Sequence, residues 1–417
     1  MQNKFYFFIE FIIGFILLLL SLFIFVFGKY FFYNSIRLFG LIIIFNALFG
    51  LFEYYKKSKK NLLNIILSII VGFFFCFAPS IPISLFIIVF ALYIFIKGLS
   101  QFITYCYYRK NDVDHRLILL LSSLLFIIFS ISLLLSPYIH LYQVTLLLNI
   151  YLFYLSFSFI LKSIREIISE NRQNSIKRRI HVSLPVLFNA FIPRIMVEYI
   201  NQKLEVNSLP VTDYHNTQIE VFIHVSKDGF GAVGHVDIAY QNEVYAYGAY
   251  DDLSNHLLGA LGDGVLFIAD KKKYINFCLQ DDPQSTIFGY TLQLNQQQIQ
   301  LVESRIQQLK SQIFPFSIEN HPHDSYATRL QKATSASFYK FKEGKFKNYF
   351  VLTTNCVLLA DYIIGSSGID IIGINGIITP GSYYSYFEEE SKKEYSRVYK
   401  KNIYTAFNFH SHYENIN

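Results

Sequence analysis

Six apolar runs of about 20 residues each fill the first 165 positions, near 5–27, 34–54, 61–79, 81–105, 117–136 and 141–163. A helix rises 1.5 Å per residue, so each run is about the length that crosses a ~30 Å hydrocarbon layer. No soluble fold has use for so much consecutive apolar surface, and this half of the chain is therefore read as a helical membrane domain, residues 1–165. The first run is longer than a signal-peptide core and no small-residue cleavage site follows it, so it is expected to be retained. Across all 417 residues the chain is 53% hydrophobic and only 16% charged, and the apolar excess lies almost wholly before residue 165.

The six runs pair into three hairpins with recurring landmarks. Ala78-Pro79 and Ser136-Pro137 end the third and fifth, while Gly50 and Gly98 sit late in the second and fourth. Such recurrence marks a repeated helical hairpin. Loop charges orient it. Lys56-Lys57-Ser58-Lys59-Lys60, Arg109-Lys110 with Arg116, and the basic residues from Lys162 to Arg179 follow the even runs; the turns at 79–82 and 136–140 carry no Lys or Arg, and only the first turn dissents with Lys29 and Arg37. The positive-inside rule then places both termini in the cytoplasm of a multi-pass inner or plasma membrane. Glu10 and Lys97, with Asn46 and Asn149, are the polar residues within the spans, and no row of charges suggests a pump or a voltage sensor.

Residues 166–216 are basic and amphipathic. They suit either a helix in the headgroup layer or a linker packed on the next domain. A net charge of +6, most of it beside the apolar runs, makes the lipid bilayer the expected partner and nucleic acid an unexpected one.

From residue 217 the periodicity changes. Residues 219–225, 235–240 and 244–248 alternate as strands, and strand-like runs follow at 265–268, 273–279 and 286–294. Asn295, with Gln298 three residues on, opens an amphipathic helix carrying Ile299, Leu301, Val302, Ile306 and Leu309. Residues 315–347 read as a long polar excursion. Residues 217–387 thus form an α+β soluble domain, and 388–417 a charged tail.

Within this domain a strand-like run at 348–352 gives way to Thr354-Asn355-Cys356 and an apolar segment with helical spacing. Helix-opening N–H groups favour a thiolate at such a cysteine. The base available to it is His235, in Gly234-His235-Val236-Asp237-Ile238. A third group should orient the imidazole. Tyr247, on the next strand, and Asp237, two residues from His235 on its own strand, are both placed to do so. Cys356 as one more buried cysteine is the bland alternative. His224 reads as a core or face residue. His321 and His323 flank Pro322 without ligand spacing, so neither a metal nor another cofactor is expected, and Cys76, Cys106, Cys278 and Cys356 form no disulfide framework.

Two resemblances follow. The triple hairpin, with its late glycines and its prolines, resembles the HdeD-like membrane proteins, linked in some bacteria to acid resistance; this covers 5–165 and brings no catalytic residues. Gly234–Ile238, Val244–Gly248, Thr354-Asn355-Cys356 and Ile378-Thr379-Pro380-Gly381, with the histidine strand before the cysteine helix, resemble the circularly permuted papain-like group of LRAT-type and NlpC-type enzymes. That resemblance implies Cys356 as nucleophile and His235 as base, although the group often has His, Asn or Asp where this chain has Tyr247. Together they imply an all-α six-helix transmembrane bundle of three hairpin repeats, followed by an α+β permuted papain-like domain. The implied activity is hydrolysis or acyl transfer at amide, ester or thioester bonds of lipids or membrane-proximal proteins. A non-enzymatic stress or acid-resistance protein with a degenerate binding domain is the alternative, and a small-solute transporter ranks third because buried polar residues are scarce.

Overall fold

A computed structural model describes residues 2–56, 62–135, 141–167, 219–225, 234–365, 380–391 and 398–406. Two compact units are present. One comprises Lys4–Phe102 and Leu117–Ile167; the other comprises Ile168–Asn417 with Met1–Asn3 and Ile103–Arg116.

The first unit is built on α1 (Gln2–Lys56), α2 (Leu62–Phe77), α3 (Ser80–Lys110), α4 (Arg116–Leu135) and α5 (Leu141–Ile167). Gly28 breaks α1 with φ 44° and ψ −118°, a conformation that a residue with a Cβ would adopt only under strain, so the first two expected runs exist as two helical stretches. Four stretches among the described residues are long and apolar enough to cross a membrane: Phe11–Gly28, Tyr30–Tyr54, Ser80–Lys110 and Arg116–Leu135. At 16 residues α2 spans only about 24 Å at the helical rise, whereas α5, at 27 residues, covers the last expected run.

Small residues let these helices approach closely. A Cβ on Gly14 would lie 2.9 Å from Ile160, one on Gly40 would lie 2.8 Å from the carbonyl of Gly72, and one on Gly98 would lie 2.9 Å from Ile127. Two buried serines inside the unit find partners. Ser21 donates to Asn149 Oδ1 at 2.7 Å and Ser156 donates to the Gly14 carbonyl at 2.8 Å, as expected where no water can satisfy them. Lys97 sets its ammonium 4.6 Å from the Phe126 ring centre, and the side chain of Glu10 lies outside the described residues.

The second unit is organised by an eight-stranded antiparallel sheet. Its strands are β1 (Ile219–Val225), β2 (His235–Tyr240), β3 (Glu243–Gly248), β5 (Val265–Asp270), β6 (Thr286–Leu292), β7 (Ile313–Pro315), β8 (Ser337–Phe341) and β10 (Val398–Tyr404), in the order β10-β6-β1-β2-β3-β5-β8-β7. A short pair, β4 (Leu261–Asp263) with β9 (Asn348–Phe350), stands apart. Alternation of side chains sorts the strands onto two faces. Val221, Ile223, Val236, Ile238, Tyr245 and Tyr247 pack with the helices α7 (Gln296–Ser311), α9 (Cys356–Ile364) and α10 (Pro380–Ser391). Phe222, Ala239, Val244, Ala246 and Phe267 pack on the other side with α6 (Lys271–Asp281) and α8 (Tyr326–Thr334). The second unit therefore has helices on both faces of one sheet.

Several expectations are met closely. The capping box of α7 is present, with Asn295 accepting from the Gln298 N–H and Gln298 answering at the Asn295 N–H, both at 2.9 Å. Others need correction. The run at 273–279 is helix α6 and not a strand: Asp270 accepts from the Lys273 N–H at 3.0 Å, and Tyr274, Ile275, Cys278 and Leu279 make a helical stripe against the sheet. The span 315–347 is not an excursion, since it holds α8 and β8. Nor does the sheet end at 387, because β10 pairs with β6 along its length and extends the domain to 404. The stretch 166–216, apart from its first two residues, the turn at 227–231, the loop at 373–379 and the end of the tail lie outside the described residues.

Candidate functional site

His235 is the first residue of β2 and Cys356 is the first of α9. One is a sheet residue and the other opens a helix packed on the opposite face, so they can meet only where both elements end. Cys356 lies near enough to His235 for its charge to bear on the imidazole. The helix start is built as its sequence requires: Asn355 accepts from the Leu358 N–H at 3.1 Å and donates to the Val351 carbonyl at 3.0 Å. At the histidine end, Gly234 has φ 88°, and a Cβ there would lie 3.0 Å from both the His224 carbonyl and Pro380. The Gly-His and Pro-Gly motifs are thus neighbours in space.

The other ring contacts of His235 are short. Its Nε2 lies 2.9 Å from Asp237 Oδ1 and 3.0 Å from the Tyr250 hydroxyl. Asp237 is fully buried, and its second oxygen accepts from the Tyr274 hydroxyl at 2.7 Å and lies 2.9 Å from His224 Nε2. Burial pushes the Asp237 carboxyl up, but the charge of His235 and the contacts of His224 and His235 outweigh it and hold the group far below the usual carboxylate range. Burial likewise pushes His235 down, and Asp237 followed by Cys356 overcomes this, raising the imidazole well above its ordinary value. Tyr250 and Tyr274 are pushed up by burial and then by Asp237, so both remain phenols able to donate.

Of the expected residues, the structure brings Cys356 and His235 together and sets Tyr247 apart. Tyr247 shares its face with Val236 and Ile238, whereas His235 and Asp237 project from the other. The Tyr247 hydroxyl donates to the carbonyls of Phe346, at 3.0 Å, and Asn348, at 3.2 Å. It fastens the loop leading toward Cys356 and does not touch the imidazole. Asp237, the other residue placed to orient His235, occupies that position. Sequence reasoning missed Tyr250, Tyr274 and His224; for His224 the signal was present, since the β1–β2 register sets it directly opposite His235. Among the described residues no cluster of His, Cys, Asp and Glu is arranged to hold a metal.

The family described as a short repeat of unknown function (DUF308) matches residues 63–135. This is the repeat that HdeD-like proteins carry, and it falls on α2, α3 and α4. No curated protein and no solved structure matches the chain. The apolar helices and the repeat mark a multi-pass membrane protein.

Proposed function

We propose that the protein is a membrane-anchored thiol hydrolase or acyltransferase, with Cys356 as nucleophile, His235 as base and Asp237 orienting the imidazole. The observation that carries this reading is the placement of His235 between a fully buried carboxylate and the thiol at a helix start. An imidazole held this way takes the proton of the thiol as the sulfur attacks. The sulfur adds to the carbonyl of an amide, ester or thioester, and the helix-opening N–H groups receive the developing oxyanion. His235 then gives its proton to the departing amine, alcohol or thiol as the carbon–heteroatom bond breaks. The resulting thioester passes its acyl group to water in hydrolysis, or to another nucleophile in transfer, with His235 taking the proton back.

The wider reading is of six membrane-crossing helices in three hairpins and a permuted papain-like domain on the cytoplasmic side. It is supported by the helical segments at the expected runs, the repeat match, the positive charges after the even runs, and the order of histidine strand before cysteine helix. Substrates reached from that position are lipids or membrane-proximal proteins. The rival reading, a non-enzymatic membrane protein of stress or acid tolerance, draws on the repeat match alone.

An electrophilic thiol probe separates the two. Cys278 is the internal control: it is buried, and burial, followed by Asp237, pushes its thiol up. Read by peptide mass spectrometry, Cys356 is expected to label faster than Cys278, and His235→Ala to remove the difference. Equal labelling of both cysteines, unchanged by the substitution, overturns the enzyme reading.

A further inference from the structure

His224 takes no part in the chemistry above, yet it is built into the same array. It pairs with His235 across β1 and β2, and the two ring centres are 6.1 Å apart. Its Nε2 lies 2.9 Å from Asp237 Oδ2, while His235 Nε2 lies 2.9 Å from Oδ1. One buried carboxylate therefore has an imidazole on each oxygen. A second histidine on an orienting carboxylate is more than packing requires, because Tyr274 already donates to Oδ2 at 2.7 Å.

We propose that His224 is a positioning residue that acts on Cys356 through Asp237, directing the carboxylate's charge to His235 while it is neutral and withdrawing it when protonated. The proposal rests on the reading of Cys356 and His235 as nucleophile and base. Neutral His224 leaves His235 as the one cation beside Asp237. Protonated His224 places a second cation 2.9 Å from the same carboxylate and one ring away from His235. The two imidazoles then compete for one negative charge, and the imidazolium–thiolate pair loses the field that sustains it.

The groups facing His224 are few. Among the described residues these are Asp237 and His235 from β2 and Tyr274 from α6, with Cys278 and Tyr326 beside Tyr274. Burial first, then Asp237, pushes Tyr274 and Cys278 up, and burial followed by Cys278 and Asp237 pushes Tyr326 up, so all three stay neutral. Lys271, on that face, is bound to Glu220 at 2.6 Å. Among the described residues, Asp237 and His235 are thus the groups whose charge bears on His224.

The test is the rate of Cys356 alkylation by iodoacetamide from pH 4.5 to 8, on the full chain in lipid nanodiscs, for the wild type, His224→Gln and His224→Phe. One protonation makes a rate fall about tenfold per pH unit and two about a hundredfold. The wild type is expected to fall with a slope steeper than one proton. His224→Gln, which keeps a donor but cannot titrate, is expected to hold its neutral-pH rate within about threefold and to fall with a one-proton slope. His224→Phe, with no donor, is expected to lose about tenfold or more at neutral pH. His224→Asn replaces the Gln variant if thermal melts show that Gln is not folded. A His235-dependent reaction whose acid limb is the same in the wild type and the amide variant overturns the role of His224 alone. A reaction at Cys356 that is insensitive to His235→Ala overturns the nucleophile reading and this one with it.

Discussion

Two carboxylates are buried on the same face of the same sheet, and they are held by opposite chemistry. Glu220 of β1 is 2% exposed and is tied by Lys271 at 2.6 Å, Asn402 at 3.0 Å and Tyr404 at 3.0 Å. Asp237 of β2 is 1% exposed and is met by His224, His235 and Tyr274. An ammonium keeps its charge at any pH a cell meets, whereas an imidazole changes charge within that range. The first arrangement binds α6 and the edge strand β10 to the centre of the sheet and has nothing to exchange. The second places proton-exchanging groups around a carboxylate at the end of a strand, beside a cysteine. The difference lies in the partners: a buried acid with fixed partners is structural, and one with titratable partners is equipped for chemistry.

The largest expected effect separates the two directly. Asp237→Asn should slow alkylation of Cys356 by about 10²- to 10⁴-fold, the range that a positioned acid–base group contributes, while most molecules stay folded. Glu220→Gln leaves the Lys271 ammonium buried without its counter-charge and should cost about 3–5 kcal/mol of stability. The molecules that remain folded should label at the wild-type rate. Parallel thermal melts and probe rates on both variants check this. A Glu220 variant that folds normally but labels slowly would break the distinction, as would an Asp237 variant that labels like the wild type.

A smaller effect appears in the pH dependence of stability. Asp237 is depressed in the folded state, so its contribution is complete above the unfolded value near pH ~4 and is lost as pH falls through the folded value. His235 is raised, so its contribution is complete below the unfolded value near pH ~6.5 and is lost as pH rises through the folded one. The pair thus stabilises most between about pH 4 and 6.5. Plotted against pH, the difference in Tm between the wild type and His235→Gln should be widest in that window and shrink on both sides. A difference that is flat across it would mean the imidazole is not coupled to the carboxylate.

The parts of the fold that could be read from sequence are those in which burial leaves a period. In α7 a capping box and the stripe of Val302, Ile306 and Leu309 do this, while β1, β2 and β3, buried on both faces, are legible as short apolar runs bounded by turn residues. The parts that could not be read are those whose stability comes from contacts distant in sequence. In α6 the apolar residues fall as adjacent pairs, which in a seven-residue window look like a strand until the Asp270 cap is noticed. In β10 only Val398 and Tyr404 are buried, because it is an edge strand, and its Lys401 is held by Glu388 and not by an apolar period. The same limit governs the site. His235, Asp237 and Cys356 carry recognisable local signals. His224 and Tyr274 acquire their places only when strand register and α6 bring them to Asp237. Tyr247 was a reasonable choice by strand order, and it was removed by the side-chain period of two that sends it to the opposite face.

That displacement gives the smallest and most discriminating prediction. Tyr247 is a third buried polar group, with neither charge nor titration at neutral pH; burial and then nearby Tyr349 push its phenol well up. Its hydroxyl binds two carbonyls in the 346–348 stretch, and the residue packs so tightly that a Cβ on Gly264 would lie 2.5 Å from the hydroxyl oxygen. Tyr247→Phe removes one donor and leaves the ring packing intact, so it should cost about 0.5–1.5 kcal/mol of stability. The Cys356 alkylation rate should change by less than about threefold, because the hydroxyl touches neither His235 nor Asp237. A tenfold loss of rate with unchanged stability would return Tyr247 to the chemistry and would show that the loop it fastens sets the thiol's position. A loss of stability alone would place it with Glu220, as a polar group whose partners are fixed and whose work is to hold the chain in place.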